Sequence, residues 1–215
     1  FGDFDDPYLT LKPQYEKGIL EVFAELLDKG LVYKQLKPIH WCSGCETALA
    51  DAELEYKEVE SPSIYVNFPV KEESVAKLQE LGLYDKENGG KACFVIWTTT
   101  PWTLPANLAI AVHPNLEYVS IKYEKEGKIF TSIVVKDRLE AVKQKIGLDE
   151  SEFEISQPVK GEQLEGLRYQ HPFVENNPTD KDAYFVILAN YVTTEDGTGL
   201  VHLAPGHGAE DYLAG

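Results

Sequence analysis

The chain has 215 residues, 43% of them apolar, and a formal net charge of −16. This length suits one core plus a smaller appendage, and the excess of acid argues against general nucleic-acid binding, which relies on basic surface. No apolar run approaches the roughly 20 residues that a membrane span needs, and the acidic start of the chain is unlike a secretory signal. We therefore expect a soluble cytoplasmic protein that does not associate with a membrane.

Residues 1–60 are predicted to form a connector that begins with one helix. Thr10 is a candidate cap for a helix over residues 13–29, with Pro13 in its first turn and Gly30 as its stop signal. Apolar residues at helical spacing form a stripe along this helix, and such a stripe needs a partner to cover it.

A Cys-x-x-Cys pair, Cys42 and Cys45, follows the helix. The pair is half of a zinc ribbon, whereas a structural zinc ion takes four ligands, commonly from two such pairs. No second pair is present, since the chain has three cysteines, and His40 is too close in sequence to make a good third ligand. The alternative is an exposed turn with reduced thiols; a redox role lacks the βαβ pattern that usually surrounds one.

Residues 61–215 change to short strands separated by turns, which predicts a second domain. Strands are predicted over residues 64–68, 92–96, 108–112, 118–123, 128–135, 184–188 and 200–203, and helices over 72–81, 137–146 and from 209 onward. Residues 125–127 suit the tip of a hairpin. The predicted fold class is α+β, mainly β, with a closed or partly closed barrel and peripheral helices.

Two polar segments each follow an apolar strand. The first is WTTTPWTLPAN at residues 97–107, and the second is GTGLVHLAPGHGAED at residues 197–211. A strand that breaks into a Pro- or Gly-rich loop turns hydroxyls and backbone amides toward the surface of a rigid scaffold. We therefore expect these two segments to converge on one pocket.

Together these segments resemble the two signature regions of the editing domain, connective polypeptide 1, of isoleucyl-tRNA synthetases. The segments DPYLT at 6–10 and WCSGCETALA at 41–50 also resemble this family, so the likeness covers nearly the whole chain. Valyl and leucyl relatives carry Arg-Pro after their threonines, so Thr100-Pro101-Trp102 favours the isoleucyl enzymes. The ATP-handling signatures of class I synthetases are absent, so the chain is not expected to activate an amino acid and is interpreted as a piece of a larger enzyme.

The resemblance implies hydrolysis of valine wrongly attached to isoleucine tRNA, after transfer and possibly before it. Such hydrolysis is needed because one methylene changes the binding free energy in a hydrophobic pocket by only about 1 to 3 kcal/mol. Isoleucine and valine are the known example. The implied partners are the 3′ end of valine-charged isoleucine tRNA and the remainder of the synthetase, which would also cover the helix stripe. It implies no cofactor for editing, and a structural zinc only in the full-length parent. The alternative is an inert connector or interaction module.

By the same resemblance, Asp211 binds the α-amine of the substrate and His202 limits the size of its side chain. The alternative for Asp211 is an acid favoured by a helix N-terminus, and for His202 a satisfied core histidine. His202 is assigned a role in shape and hydrogen bonding and not as a general base.

Hydroxyls of Thr98, Thr99, Thr100 and Thr103 are predicted to orient water, the ester carbonyl and the terminal ribose. Because alternate side chains of an extended segment face opposite sides, Thr99 and one neighbour should reach the ligand while another packs inside.

Trp102 is predicted as an apolar wall or stacking surface, or alternatively as a cap on the core. Asn107 is predicted to bind the adenine edge or the ribose, or alternatively to fix a turn. No Ser/His/Asp nucleophile arrangement is apparent, so we expect direct attack by water without a catalytic metal. His113, His171 and His207 have no assigned role.

Overall fold

The computed structural model describes residues 4–148, 153–174 and 182–215. The chain divides into two compact units, Phe1–Lys37 and Pro38–Gly215. A domain boundary at residue 60 stays a prediction.

The first unit contains the expected helix, α1 (Pro13–Asp28), which begins and ends close to its predicted limits. The predicted cap at Thr10 is wrong, because the N-cap position is Lys12 and makes no side-chain hydrogen bond there. Gly30 ends the helix with a φ of +69°, a conformation that glycine adopts without the penalty of a Cβ. No residue of α1 is buried, and no helix in the described part of the chain is long and apolar enough to cross a membrane.

The second unit begins with a hairpin of β1 (Trp41–Cys42) and β2 (Thr47–Ala48) and is mainly sheet. Its remaining strands are β3 (Ile64–Pro69), β4 (Lys91–Thr98), β5 (Ala109–Val112), β6 (Glu117–Lys125), β7 (Lys128–Val135), β8 (Phe153–Ile155), β9 (Val159–Lys160), β10 (Phe185–Leu188) and β11 (Leu200–Leu203). Its α-helices are α2 (Glu72–Glu80), α3 (Leu139–Ile146) and α4 (Ala209–Ala214). All the strands and helices predicted after residue 60 are therefore present, whereas β1, β2, β8 and β9 were not foreseen.

The larger sheet has six strands, in the order β3-β4-β7-β6-β8 with β9 also paired to β6. The predicted hairpin tip joins β6 to β7, where Glu126 and Gly127 both have positive φ, as a tight two-residue turn requires. A separate three-stranded sheet has the order β10-β5-β11, with β10 parallel and β11 antiparallel to β5.

The described strands do not form a closed barrel, so that part of the predicted fold class is wrong; the α+β, mainly β class is confirmed. Among the described residues, two isolated bridges, Val70 to Tyr169 and Arg168 to Phe185, link the end of β3 to β10 through residues 168–169. The barrel stays open because no ladder joins the outer edges of β10 and β11 to a described strand of the large sheet.

The main core uses one face of the large sheet, and a smaller core under α3 uses the other. Phe94 and Ile96 of β4 belong to the main core, whereas Val95 between them belongs to the core with Val142 of α3. Because both faces are covered, β4 is apolar almost throughout instead of alternating. This explains why the segment before the threonines is recognisable as a strand.

Gly199 fixes the start of β11 against the large sheet. Val135 N–H donates to the Thr198 carbonyl at 2.8 Å, and the buried Tyr118 hydroxyl donates to the Gly199 carbonyl at 2.8 Å. Gly199 has a φ of +73°, and a Cβ built there would lie 2.3 Å from Cβ of Val135. Only glycine allows this close approach at a positive φ.

We predict that Gly199→Ala lowers the free energy of unfolding by about 2 to 4 kcal/mol, the sum of a left-handed backbone penalty and overpacking. Gly127→Ala is the matched control, since Gly127 has a φ of +72° but no atom within 4 Å of its built Cβ. It should cost only about 1 kcal/mol. Urea denaturation of both variants measures the difference, and equal costs would show that Gly199 is not sterically constrained.

Candidate functional site

The two polar segments contact each other in the structure, whereas a single pocket lined by both stays a prediction. β4 ends at Thr98 and passes into a 3-10 helix, Pro101–Ala106, which leads directly into β5. β5 pairs antiparallel with β11 so that Ala109 lies opposite Leu203. This register brings the hydroxyl of Thr103 within 2.8 Å of Nε2 of His202, although the two residues are 99 positions apart.

The threonines face different ways. Thr98 is buried, and its hydroxyl accepts a hydrogen bond from Thr100 N–H at 3.0 Å. Thr99 is exposed and is held through its carbonyl, which accepts from the Ser61 hydroxyl at 3.0 Å. Thr100 is half-buried. The hydroxyls of Thr99 and Thr100 are thus the ones left accessible in this turn, with Thr98 supporting the backbone beneath them.

His202 lies in a directional chain of buried hydrogen bonds. The Tyr169 hydroxyl donates to Oδ1 of Asn107 at 2.6 Å, and Nδ2 of Asn107 lies 3.3 Å from Nδ1 of His202. An amide nitrogen can only donate, so Nδ1 accepts and Nε2 carries the proton. Nε2–H then donates to Thr103, whose own hydroxyl donates to the Thr100 carbonyl at 2.9 Å. We assign His202 as the neutral Nε2–H tautomer on this basis.

The electrostatic surroundings of His202 agree with a neutral ring. Burial lowers the pKa of His202; the charge of Asp211 opposes this shift, and His171 and His207 reinforce it. A second proton on Nδ1 would also face the Asn107 amide donor. His202 is therefore suited to hold a fixed shape at neutral pH and not to accept a proton.

A second buried histidine, His171, supports the same loop. Its Nε2 lies 2.9 Å from the Leu104 carbonyl within the 3-10 helix, and its Nδ1 accepts from the N–H groups of Phe173 and Val174 at 3.0 Å each. Burial lowers the pKa of His171, and the hydrogen bond with Leu104 opposes the shift. The sequence analysis gave His171 no role, because a His-Pro turn does not indicate which other segment packs against it.

Asp211 is in the first turn of α4, and one carboxylate oxygen accepts from Ala204 N–H at 2.9 Å. This bond ties the start of α4 to the end of β11. The side chain is half-buried, and its neighbours Pro205 and Tyr212 line a surface cavity of about 510 Å³. The other carboxylate oxygen has no hydrogen bond among the described residues and is available to a ligand.

The remaining predicted contacts have distinct environments. Trp102 is 67% exposed, so the alternative that it caps the core is wrong; its role as a wall or stacking surface stays a prediction. Asn107 is 1% exposed, and its amide also donates to the Ala109 carbonyl at 2.8 Å. In this structure Asn107 supports His202, and contact of Asn107 with a ligand stays a prediction.

The cysteine pair lies in the β1–β2 hairpin and supplies only two potential metal ligands. Cys45 N–H donates to Sγ of Cys42 at 3.3 Å, and backbone and side-chain hydrogen bonds from Cys45 lower the pKa of the Cys42 thiol. These bonds favour the thiolate that binds zinc. No group of three or more potential ligands occurs in the described part of the chain, so the zinc half-site of Cys42 and Cys45 stays a prediction.

The chain matches the family of tRNA synthetases class I (I, L, M and V) over residues 1–195. It is 49% identical over 214 residues to an isoleucine–tRNA ligase of Desulforamulus reducens and 45% identical over 214 residues to one of Thermotoga maritima. The chain belongs to the class I tRNA synthetase family. These alignments include 100% of the chain but only 21% and 20% of the two synthetases, so the chain spans about a fifth of their length.

Solved structures of synthetase editing domains share this fold. The structure resembles the CP1 domain of GlLeuRS with a TM-score of 0.54 and 17% identity, covering 71% of this chain and 58% of that one. It resembles the editing domain of cytosolic leucyl-tRNA synthetase from P. knowlesi with a TM-score of 0.54 and 18% identity, covering 70% and 59%. At 17% and 18% identity, these likenesses show a shared fold.

The two buried histidines predict acid sensitivity of the synthetase chain. Their folded pKa values lie below the unfolded value of about 6.5, so their contribution to stability is complete above that pH and is lost as the pH falls. The free energy of unfolding should therefore decrease from about pH 7 to about pH 5. His171→Gln, which keeps a donor for Leu104, should reduce this slope by about half.

Urea denaturation across this pH range measures the effect. His40→Gln is the control, because His40 is exposed and is not among the groups whose charge acts on His202, and it should leave the slope unchanged. A flat profile in the unmodified protein would mean that the two histidines are not buried neutral.

Proposed function

We propose that this chain is an editing domain that hydrolyses valine attached in error to isoleucine tRNA. The observation that carries the proposal is the direct contact between the threonine loop and the His202 strand, at 2.8 Å. In a chain related throughout its length to isoleucine–tRNA ligases, this contact brings together the two segments whose side chains suit an aminoacyl ester. The proposed setting is the cytoplasm, where the chain acts with the remainder of the synthetase.

The proposed reaction is direct attack by water. The water oxygen adds to the ester carbonyl, and the ribose oxygen then leaves with a proton, which releases free valine and tRNA. The accessible hydroxyls of Thr99 and Thr100 orient the water and the carbonyl, since each hydroxyl both donates and accepts. Thr98 contributes by holding the Thr100 backbone at 3.0 Å, and such preorganised positioning can supply much of the rate.

Asp211 is proposed to bind the substrate ammonium through its available carboxylate oxygen. The other oxygen already accepts from Ala204 N–H, which fixes the direction of the carboxylate before any ligand arrives. A fixed carboxylate loses little conformational entropy when it pairs with an ammonium group.

His202 is proposed as the wall that excludes isoleucine. Both ring nitrogens are used in internal hydrogen bonds, so the ring cannot turn aside for an extra methylene without breaking one of them. A rigid wall is what a size filter needs, because a wall that yields would admit the larger side chain at little cost.

The net charge of −16 is compatible with this proposal if only the 3′ end of the tRNA enters the site. Unpaired nucleotides are recognised by stacking and hydrogen bonds more than by neutralisation of phosphates. The exposed indole of Trp102 is available for such stacking. We expect the chain alone to bind uncharged tRNA weakly.

The competing function is an inert connector or interaction module within the synthetase. The exposed apolar residues of α1 favour a partner for that helix, namely Tyr15, Ile19, Val22, Phe23, Leu26 and Leu27. The two functions differ in one measurement, because only an editing domain releases valine from charged isoleucine tRNA faster than the spontaneous rate.

Asp211→Asn should weaken binding of a non-hydrolysable valyl-adenosine analogue about 10- to 100-fold. The asparagine oxygen still accepts from Ala204, whereas the charge that pairs with the ammonium is lost, and hydrogen bonds to charged groups are worth about 1.5 to 3 kcal/mol. Calorimetry measures the change. Glu210→Gln, an exposed neighbour in the same helix turn, is the matched control, and an equal loss in both variants would contradict the amine assignment.

His202→Ala should remove the discrimination against isoleucine. The space left by the imidazole admits one more methylene, so the ratio of valyl to isoleucyl hydrolysis should fall by about 10-fold or more, the value of one methylene in a tight pocket. Deacylation of valyl- and isoleucyl-tRNA by both proteins measures this ratio. An unchanged ratio in a folded variant would place the size filter elsewhere.

A further inference from the structure

A buried tyrosine outside both polar segments begins the chain of hydrogen bonds that reaches His202 through Asn107. Tyr169 is fully buried, and its hydroxyl donates to Oδ1 of Asn107 at 2.6 Å. It lies between a 3-10 helix, Gly161–Leu164, and the His171 turn, far in sequence from either signature region. Neither composition nor motif pointed to this residue.

The Asn107 amide has two possible orientations, and they have opposite effects on His202. With Oδ1 toward Tyr169, Nδ2 faces Nδ1 of His202 at 3.3 Å and forces that nitrogen to accept. With the amide turned over, Oδ1 would face His202 and would favour a proton on Nδ1. The tyrosine hydroxyl selects the first orientation because it donates to the oxygen, and the Ala109 carbonyl, which accepts from Nδ2 at 2.8 Å, selects the same one.

We propose that Tyr169 is a positioning residue of the editing site: its hydroxyl orients the Asn107 amide, which holds His202 as the Nε2–H tautomer against Thr103. The consequence reaches the threonine loop, because Thr103 accepts from His202 and can then donate only to the Thr100 carbonyl. The proposal rests on the proposed function for its effect on substrate, but the tautomer itself is a property of the protein without ligand.

The charged and titratable groups that face His202 act differently. Asp211 from α4 and the imidazoles of His171 and His207 act on the His202 ring through charge. The Asp211 carboxylate favours the protonated ring, so it opposes the neutral state. The choice between the two nitrogens therefore depends on the hydrogen bonds on either side of the ring, those of Thr103 and of the Asn107 amide. Tyr169 acts on that amide together with the carbonyls of Ala109 and Leu203.

Tyr184 offers a matched control for Tyr169. The two rings lie in one aromatic cluster with centroids 6.0 Å apart, and Tyr184 is also buried. Its hydroxyl, however, has no hydrogen-bond partner among residues 4–148, 153–174 and 182–215. Replacing either tyrosine by phenylalanine removes one buried oxygen from the same cluster, yet only the change at Tyr169 breaks the relay.

The test is ¹⁵N NMR of the histidine side chains in the whole 215-residue chain without ligand. The unmodified protein and Tyr184→Phe should both show the Nε2–H tautomer of His202. Tyr169→Phe should show a mixture of the two tautomers and a higher pKa of His202. An Nδ1–H tautomer in the unmodified protein, or an unchanged tautomer in a folded Tyr169→Phe variant, would overturn the proposal.

The effect on substrate is a separate measurement. Calorimetry with valyl- and isoleucyl-adenosine analogues should show that the affinity ratio falls about 5- to 10-fold in Tyr169→Phe, as for loss of one positioned hydrogen bond, and does not change in Tyr184→Phe. An unchanged ratio in Tyr169→Phe would overturn the role of Tyr169 in the site. Failure of the unmodified protein to bind either analogue would instead overturn the proposed function, while the NMR result would still decide the relay.

If Tyr169→Phe does not fold, Asn107→Asp tests the same relay. A carboxylate can only accept, so Nδ1 of His202 must then carry a proton, and the pKa of His202 should rise. An unchanged His202 in that variant would show that residue 107 does not control the ring and would overturn the proposal.

Discussion

The site depends on the burial of one neutral imidazole between a hydroxyl and an amide. His202 contacts Thr103 at 2.8 Å and Asn107 at 3.3 Å, and a buried polar ring without such partners would carry a large desolvation cost. Because each partner belongs to the loop between β4 and β5, satisfying His202 also fixes that loop. The same interaction thus contributes to stability, to the shape of the site and to the placement of the threonines.

The register of the small sheet makes this interaction possible. β11 pairs with β5 so that His202 lies opposite Ile110, and a slip by one residue would turn the imidazole to the other face of the sheet. Gly199 secures the register from the start of β11, since only glycine fits its positive φ beside Val135. The position of His202 therefore depends on a backbone constraint at Gly199, three residues before it.

Prediction from sequence succeeded for features that depend on a local pattern of residues. It failed for features that depend on a partner from a distant part of the chain. The strand ending in Thr98 was recognisable because a strand covered on both faces is apolar throughout. Thr10 was chosen as a helix cap for its side chain, but the helix begins at Pro13 and does not use that hydroxyl. The barrel was inferred from the number of strands, whereas closure depends on which edges pair, and the outer edges of β10 and β11 form no ladder with a described strand of the large sheet.

The sequence by itself determined the family, the α+β class and the two polar segments, because motifs, apolar periodicity and turn residues are all written along the chain. Only the tertiary structure decided that Thr98 and Thr103 are the buried threonines of residues 97–107, that Asn107 faces inward, and that Tyr169 and His171 support the site. Hydrogen bonds between residues such as Tyr169 and Asn107, 62 positions apart, exist only after strand pairing has set their distance and direction. No local pattern records that geometry.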